Sequence, residues 1–125
     1  MATTKIFPIH ADVEGALAYI ANPVKTDNGR LVYAFGCSEK PSRAAKDFSE
    51  IRSRRSTVLA QHFIVSFKPG EITPERALEV GKEICQKFLD DQYQFLLTVH
   101  VDKQHTHLHC VFNNTNLISG YTFQT

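Results

Sequence analysis

No apolar run in this chain approaches the roughly 20 residues needed to cross a bilayer. Its first fifteen residues, MATTKIFPIHADVEG, lack the apolar core of a signal peptide. Those two absences make the cytoplasm the expected compartment. Cysteine is scarce: Cys37, Cys85 and Cys110 are an odd number without CxxC spacing, so no disulfide framework is expected. No repeat, low-complexity tract or Gly/Ser linker interrupts the chain, and its 125 residues read as one continuous domain able to bury a core. Charge of one sign is lacking too. The formal net charge is +1, which does not announce a nucleic-acid binder. Between Glu39 and Arg55, six basic residues (Lys40, Arg43, Lys46, Arg52, Arg54, Arg55) outnumber three acidic ones. That excess could meet phosphates, and a solvated helix face looks the same.

What is present begins with periodicity. Lys5–Ile9 is a candidate strand. Asp12 can cap a helix to about Ala21, with Val13, Ala16, Leu17 and Ile20 as its apolar stripe. Asn22-Pro23 ends it, because proline disfavours helical geometry in the residue before it. Leu31–Gly36 reads as a second strand and Ser42 to about Arg55 as a charged, mostly exposed helix. The β-branched and aromatic run His62–Phe67 (HFIVSF) reads as a buried strand. Thr73-Pro74-Glu75 then starts a helix whose stripe is Ala77, Val80, Ile84 and Phe88. Gln94–Asp102 and His105–Asn113 both alternate, the first with Phe95, Leu97, Val99 and Val101 on one face, the second with Leu108, Cys110 and Phe112. Only Lys103 and Gln104 separate them. The order β-α-β-α-β-α-β-β, ending in a hairpin, predicts an α+β fold with a largely antiparallel sheet and helices packed on one face.

The polar face of that hairpin carries the chemistry. With Lys103 and Gln104 as the loop, Asp102 pairs with His105 and His100 with His107, while His109 lies diagonally along the same face. Opposed side chains sit about 4.5–5.5 Å apart at Cβ and diagonal ones about 7–8 Å, which lets three imidazoles reach one ion. A lone strand histidine is usually solvated or hydrogen-bonded. Histidine at strict period two is different, since a plain solvent face favours Thr, Lys and Glu. His100, His107 and His109 are therefore the expected ligands of one divalent ion with coordination positions left open, as in a catalytic site. Zn2+ would suit these ligands, as would Mn2+ or another transition ion, and nothing in the spacing chooses between them.

HVDKQHTHLHCVFNNTN, from His100 to Asn116, resembles the histidine motif of the relaxase/mobilisation-nuclease family, roughly H-x-D, a short gap, then H-x-H-x-x-x-N. His100, Asp102, His107, His109 and Asn113 fill it. ALAYIANPVKT, from Ala16 to Thr26, is similar to the family's tyrosine segment, and HFIVSFKPGEITPERALEVG, from His62 to Gly81, to its middle motif. With LVYAFGCS between them, the resemblance covers nearly the whole chain. It implies the ferredoxin-like palm of the HUH endonucleases and Tyr19 as nucleophile. It also implies a histidine-held divalent ion, Mn2+ or Mg2+ ahead of Zn2+ or another transition metal, and the nicking of single-stranded DNA at an origin of transfer through a 5′-phosphotyrosyl link, alongside accessory relaxosome proteins. Residues 1–125 would then be the N-terminal catalytic segment of a longer protein. Without the resemblance, Tyr19 on the flank of its helix reads rather as a ring tucked against the core edge with its tip in water. Asp102 is the candidate for orienting a ligand imidazole or for acting as base, and Glu71 is a weaker candidate for either task. His105 matches no metal position. A rolling-circle replication initiator, a DNA-binding relative that does not nick, and a plain metallohydrolase are the competing readings. The order of tyrosine before histidines argues against the first.

Overall fold

A computed structural model of the chain describes residues 3–124. In chain order the elements are β1 (Thr3–Ile9), α1 (Val13–Ile20), β2 (Val32–Phe35), α2 (Pro41–Ile51), β3 (Ala60–Ser66), α3 (Pro74–Leu89), β4 (Phe95–His100) and β5 (His107–Asn113). The β-α-β-α-β-α-β-β order read from periodicity is the order found. All strands join one antiparallel sheet in the order β1-β3-β5-β4-β2, an α+β fold with an antiparallel sheet as expected.

Local signals account for the element ends. Asp12 Oδ1 accepts from Gly15 N at 3.0 Å, one of the orphan donors of the α1 N-terminus. Thr73 Oγ1 does the same for Arg76 N at 3.2 Å, and Pro74 opens α3, where its missing N–H costs nothing.

The distribution of helices departs from expectation. α3 packs alone on one sheet face, against Phe63, Val65, Phe95, Leu97, Val99, Leu108, Cys110 and Phe112. α1 and α2 cover part of the other, where Leu17, Ile20, Ala44 and Phe48 meet Ala60, Leu96 and Val111. The reason lies in the strands. All six residues of β4 (FLLTVH) are buried, so this strand needs cover on both faces, and helices on one side could not provide it.

The contact line of α3 is also rotated by one residue. Its buried residues are Ala77, Gly81, Cys85 and Leu89, four apart, whereas Val80 and Ile84 are only partly buried and Phe88 is exposed. Gly81 explains the rotation: a Cβ there would lie 2.6 Å from Leu108 Cδ1, so the helix seats its smallest side chains on the sheet. The displaced Val80, Ile84 and Phe88 wall an open groove of about 520 Å3 with Ile6, Phe63 and Phe67.

Candidate functional site

The face bearing α1 and α2 is where the alternation of β5 puts its histidines. His107 pairs with His100 of β4, the register expected from the sequence. The connection is longer than two residues, because the strands end at His100 and begin at His107. Asp102 and His105 therefore lie in the loop and not in the ladder. The physical reason is that Lys-Gln is a poor pair for the positive φ a tight turn needs, and Val101 N donates instead to Lys25 O at 2.8 Å.

The C-terminal end of α1 abuts the cluster. His100 Nε2–H donates to the carbonyl of Ile20 at 2.8 Å, satisfying one of the last helical carbonyls. The His100 and His109 rings lie 4.0 Å apart at 31°, and His107 is 6.0 Å from His109. Tyr19, next to Ile20, stands edge-on to both His100 (5.8 Å) and His109 (6.1 Å) and is 52% exposed. Tyr33 and Tyr93 pack instead on Phe95 and Phe112, in the other core. Among the described tyrosines, Tyr19 is the one with ring contacts to the histidines.

Burial makes these imidazoles poor bases. It pushes His109 down to about 3, with the neighbouring histidines adding to the effect. His100 and His107 are also lowered, again chiefly by burial. At neutral pH all three are uncharged and carry a free lone pair, the form a metal requires.

A fourth histidine joins them. His62 of β3 lies diagonally across the ladder from His109 and shares a 2.9 Å hydrogen bond between its Nε2 and His109 Nδ1. Sequence reasoning placed His62 in a buried strand and gave it no role. Its membership depends on the pairing of β3 with β5, 47 residues away, and the one local sign is its phase: His62, Ile64 and Ser66 share a face.

Two expected carboxylates are used differently. Asp102 Oδ2 accepts from Lys25 Nζ at 3.0 Å, so its hydrogen bond goes to a lysine and not to a ligand imidazole. That bond is the main cause holding its carboxyl below the usual range. The same lysine sits 5.5 Å over the Tyr19 ring centroid. Glu71 is engaged in its own turn, its Oε1 accepting from Lys68 N at 2.8 Å, the chief cause that lowers its carboxyl. Asn113 of the motif is structural: buried, it donates to Phe48 O and Gln94 Oε1 and accepts from Thr115 N.

The residues fit a divalent ion in chemistry more than in present geometry. His109 Nε2 is buried with no hydrogen-bond partner among the described residues, and neutral imidazoles are suitable donors. Yet among the described residues no three His, Cys, Asp or Glu side chains stand ready to hold one ion together. The imidazoles are gathered, not converged, because His100 Nε2 is held by Ile20 O and His109 Nδ1 by His62.

Comparison with known proteins decides the family. The family model described as "Relaxase: MobA/VirD2-like, nuclease domain" matches residues 19–125. The chain belongs to the MobA/VirD2-like relaxases. It is 31% identical over 132 aligned residues to the group II intron-interrupted relaxase LtrB of Lactococcus lactis subsp. cremoris (strain MG1363), covering 84% of this chain and 23% of that protein. It is similar to two proteins named rlx from Staphylococcus aureus. One is 36% identical over 64% of the chain, the other 29% identical over all of it, and the chain covers 25% and 38% of their lengths. The chain thus spans well under half of these mobilisation relatives. Among the described residues, no helix of this relaxase nuclease domain is long and apolar enough to cross a membrane.

Proposed function

We propose that this relaxase domain nicks single-stranded DNA at an origin of transfer, with Tyr19 as nucleophile and His100, His107 and His109 as holders of a divalent ion. The observation that carries the reading is the edge-on placement of Tyr19 against both His100 and His109. When bound, Mn2+ or Mg2+ (Zn2+ is the alternative) supplies charge neutralisation and orientation of the scissile phosphate. Tyr19, half-exposed, attacks the phosphorus with its hydroxyl oxygen. The new O–P bond forms as the bond to the 3′-oxygen breaks, and the departing 3′-oxygen takes a proton from solvent, leaving a 5′-phosphotyrosyl link and a 3′-hydroxyl. The phenol proton passes to solvent as the attack begins, and Lys25, above the ring, offsets the negative charge that the phenolate carries until the O–P bond forms. Asp102 holds Lys25 there, a positioning role in place of the base or imidazole partner read from the sequence. Glu71 is assigned no step. The energy of the broken ester is retained in the tyrosyl link, which allows rejoining and suits strand transfer. Accessory relaxosome proteins are the proposed partners, in the cytoplasm.

The test is to incubate the protein with labelled origin-type single-stranded oligonucleotides and Mn2+ or Mg2+, then look for an adduct that survives a denaturing gel. Tyr19→Phe should abolish the adduct while leaving ion and oligonucleotide binding intact. An adduct formed as well by Tyr19→Phe sinks the assignment.

A further inference from the structure

His62 and His109 share one proton across 2.9 Å, and the way it is shared fixes what His109 can do. Two arrangements exist. If His62 Nε2–H donates, His109 must carry its own hydrogen on Nε2. That nitrogen is buried and has no partner among the described residues, so the arrangement strands an N–H donor in the interior. If His109 Nδ1–H donates to His62 Nε2, the buried Nε2 carries a bare lone pair instead. Orphaned buried donors are rarer in proteins than under-satisfied acceptors, and a bare imidazole nitrogen is completed by a cation. The second arrangement is therefore the stable one.

The surroundings hold it in place. His109 is 4% exposed and His62 6%, so water does not easily exchange for either partner. The Phe7 ring lies 4.8 Å from His62 and screens its outer side. The ladder pairs His62 with Val111 and His109 with Ile64, which sets the two imidazoles on one face at the diagonal spacing their rings can bridge.

We infer that His62 is a positioning residue: by accepting the His109 Nδ1–H it locks His109 in the tautomer whose buried Nε2 offers a bare lone pair to a metal ion. The inference rests on the proposed ion site, and it assigns His62 no contact with the ion. A hydrogen-bond acceptor behind a ligating histidine is a general requirement of metal sites, and removing one lowers metal affinity by roughly 10–100-fold. Carboxylates or carbonyls usually fill this role. Here Asp102, the carboxylate of the motif, is bound to Lys25, and an imidazole takes the place behind His109.

Two measurements test it on the full chain. The first is 15N NMR of the histidine rings with a chelator present and no metal. The expected result is His109 protonated at Nδ1; protonation at Nε2 overturns the inference whether or not an ion ever binds. The second is titration with Mn2+ alone. His62→Ala should weaken binding roughly 10–100-fold. His62→Gln, whose amide oxygen can still accept from Nδ1, should recover most of the loss. Equal affinity in all three proteins overturns the inference and leaves the ion site standing. Loss in His62→Gln as deep as in His62→Ala makes His62 a ligand itself and also overturns it. If His62→Ala fails to fold, the glutamine variant and the wild-type tautomer decide. Wild type that binds no Mn2+ refutes the proposed ion site, while the ring spectrum still settles the role of His62.

Discussion

Two glycines sit inside helices, and replacing each by alanine should give different results for reasons the structure supplies. Alanine is favoured over glycine in a helix interior by about 1 kcal/mol, so both changes start with that gain. At Gly81 the new methyl would lie 2.6 Å from Leu108 Cδ1 and 3.1 Å from Leu97 Cδ2. Both leucines are fully buried and have nowhere to swing. Overpacking of this kind costs about 1–3 kcal/mol, so Gly81→Ala should be neutral at best and at worst destabilise by about 2 kcal/mol. At Gly15 the atoms nearest the new methyl are those of the Asp12 carboxylate, with Oδ2 at 2.1 Å. That side chain is exposed and can rotate away at the loss of its cap on Gly15 N, worth about 1 kcal/mol. Gain and loss then cancel, and Gly15→Ala should be near neutral. Urea unfolding of both variants measures the difference as a shift in midpoint at constant slope. If Gly81→Ala stabilises by about 1 kcal/mol, like an exposed helical site, α3 does not seat on Leu97 and Leu108 as described. If Gly15→Ala proves the worse of the two, the cap is worth more than the packing and the reasoning fails.

Asn113→Ala should destabilise by roughly 2–4 kcal/mol, because Phe48 O, Gln94 Oε1 and Thr115 N all lose a partner in a buried setting; a midpoint unchanged in urea would remove Asn113 from the fold's framework. Lys25→Met should slow adduct formation by roughly two- to five-fold, the scale of an exposed cation over a ring. High salt should shrink the gap, and an unaltered rate would free Tyr19 of any debt to Lys25. Acid should weaken the metal-free protein: burial pushes His62 down to about 4 and His109 down to about 3, from 6.5. The unfolded chain therefore takes up protons below pH 6.5 that the native one refuses, and stability falls on acidification by up to about 1.4 kcal/mol per pH unit for each histidine until the native values are reached. Urea midpoints with a chelator at pH 7, 6 and 5 check this, and a flat profile would mean that the pair is not buried and neutral.

Much of the site was legible because its signals are local. Period two in THLHCVFN announces which side chains share a face, and the motif order around Tyr19 and the histidines carries the family. His62 was not legible in the same way. In HFIVSF it is one histidine in an apolar strand, and it acquires meaning only when β3 lies beside β5. The partner of Asp102 was hidden for the same reason, since Lys25 is 77 residues away and reaches it through a loop no local rule describes.

By itself the sequence determined where the helices and strands lie, which end caps hold them, and that His100 opposes His107. Each of these depends on neighbours within about four residues or across one short connection. The tertiary structure alone decided that helices cover both faces, that α3 turns its small residues Ala77, Gly81 and Cys85 inward, and that a fourth imidazole stands behind His109. Those outcomes depend on strand order and on close packing between distant segments. Close packing rewards the small residue at the contact, while hydrophobic periodicity points to the large one beside it.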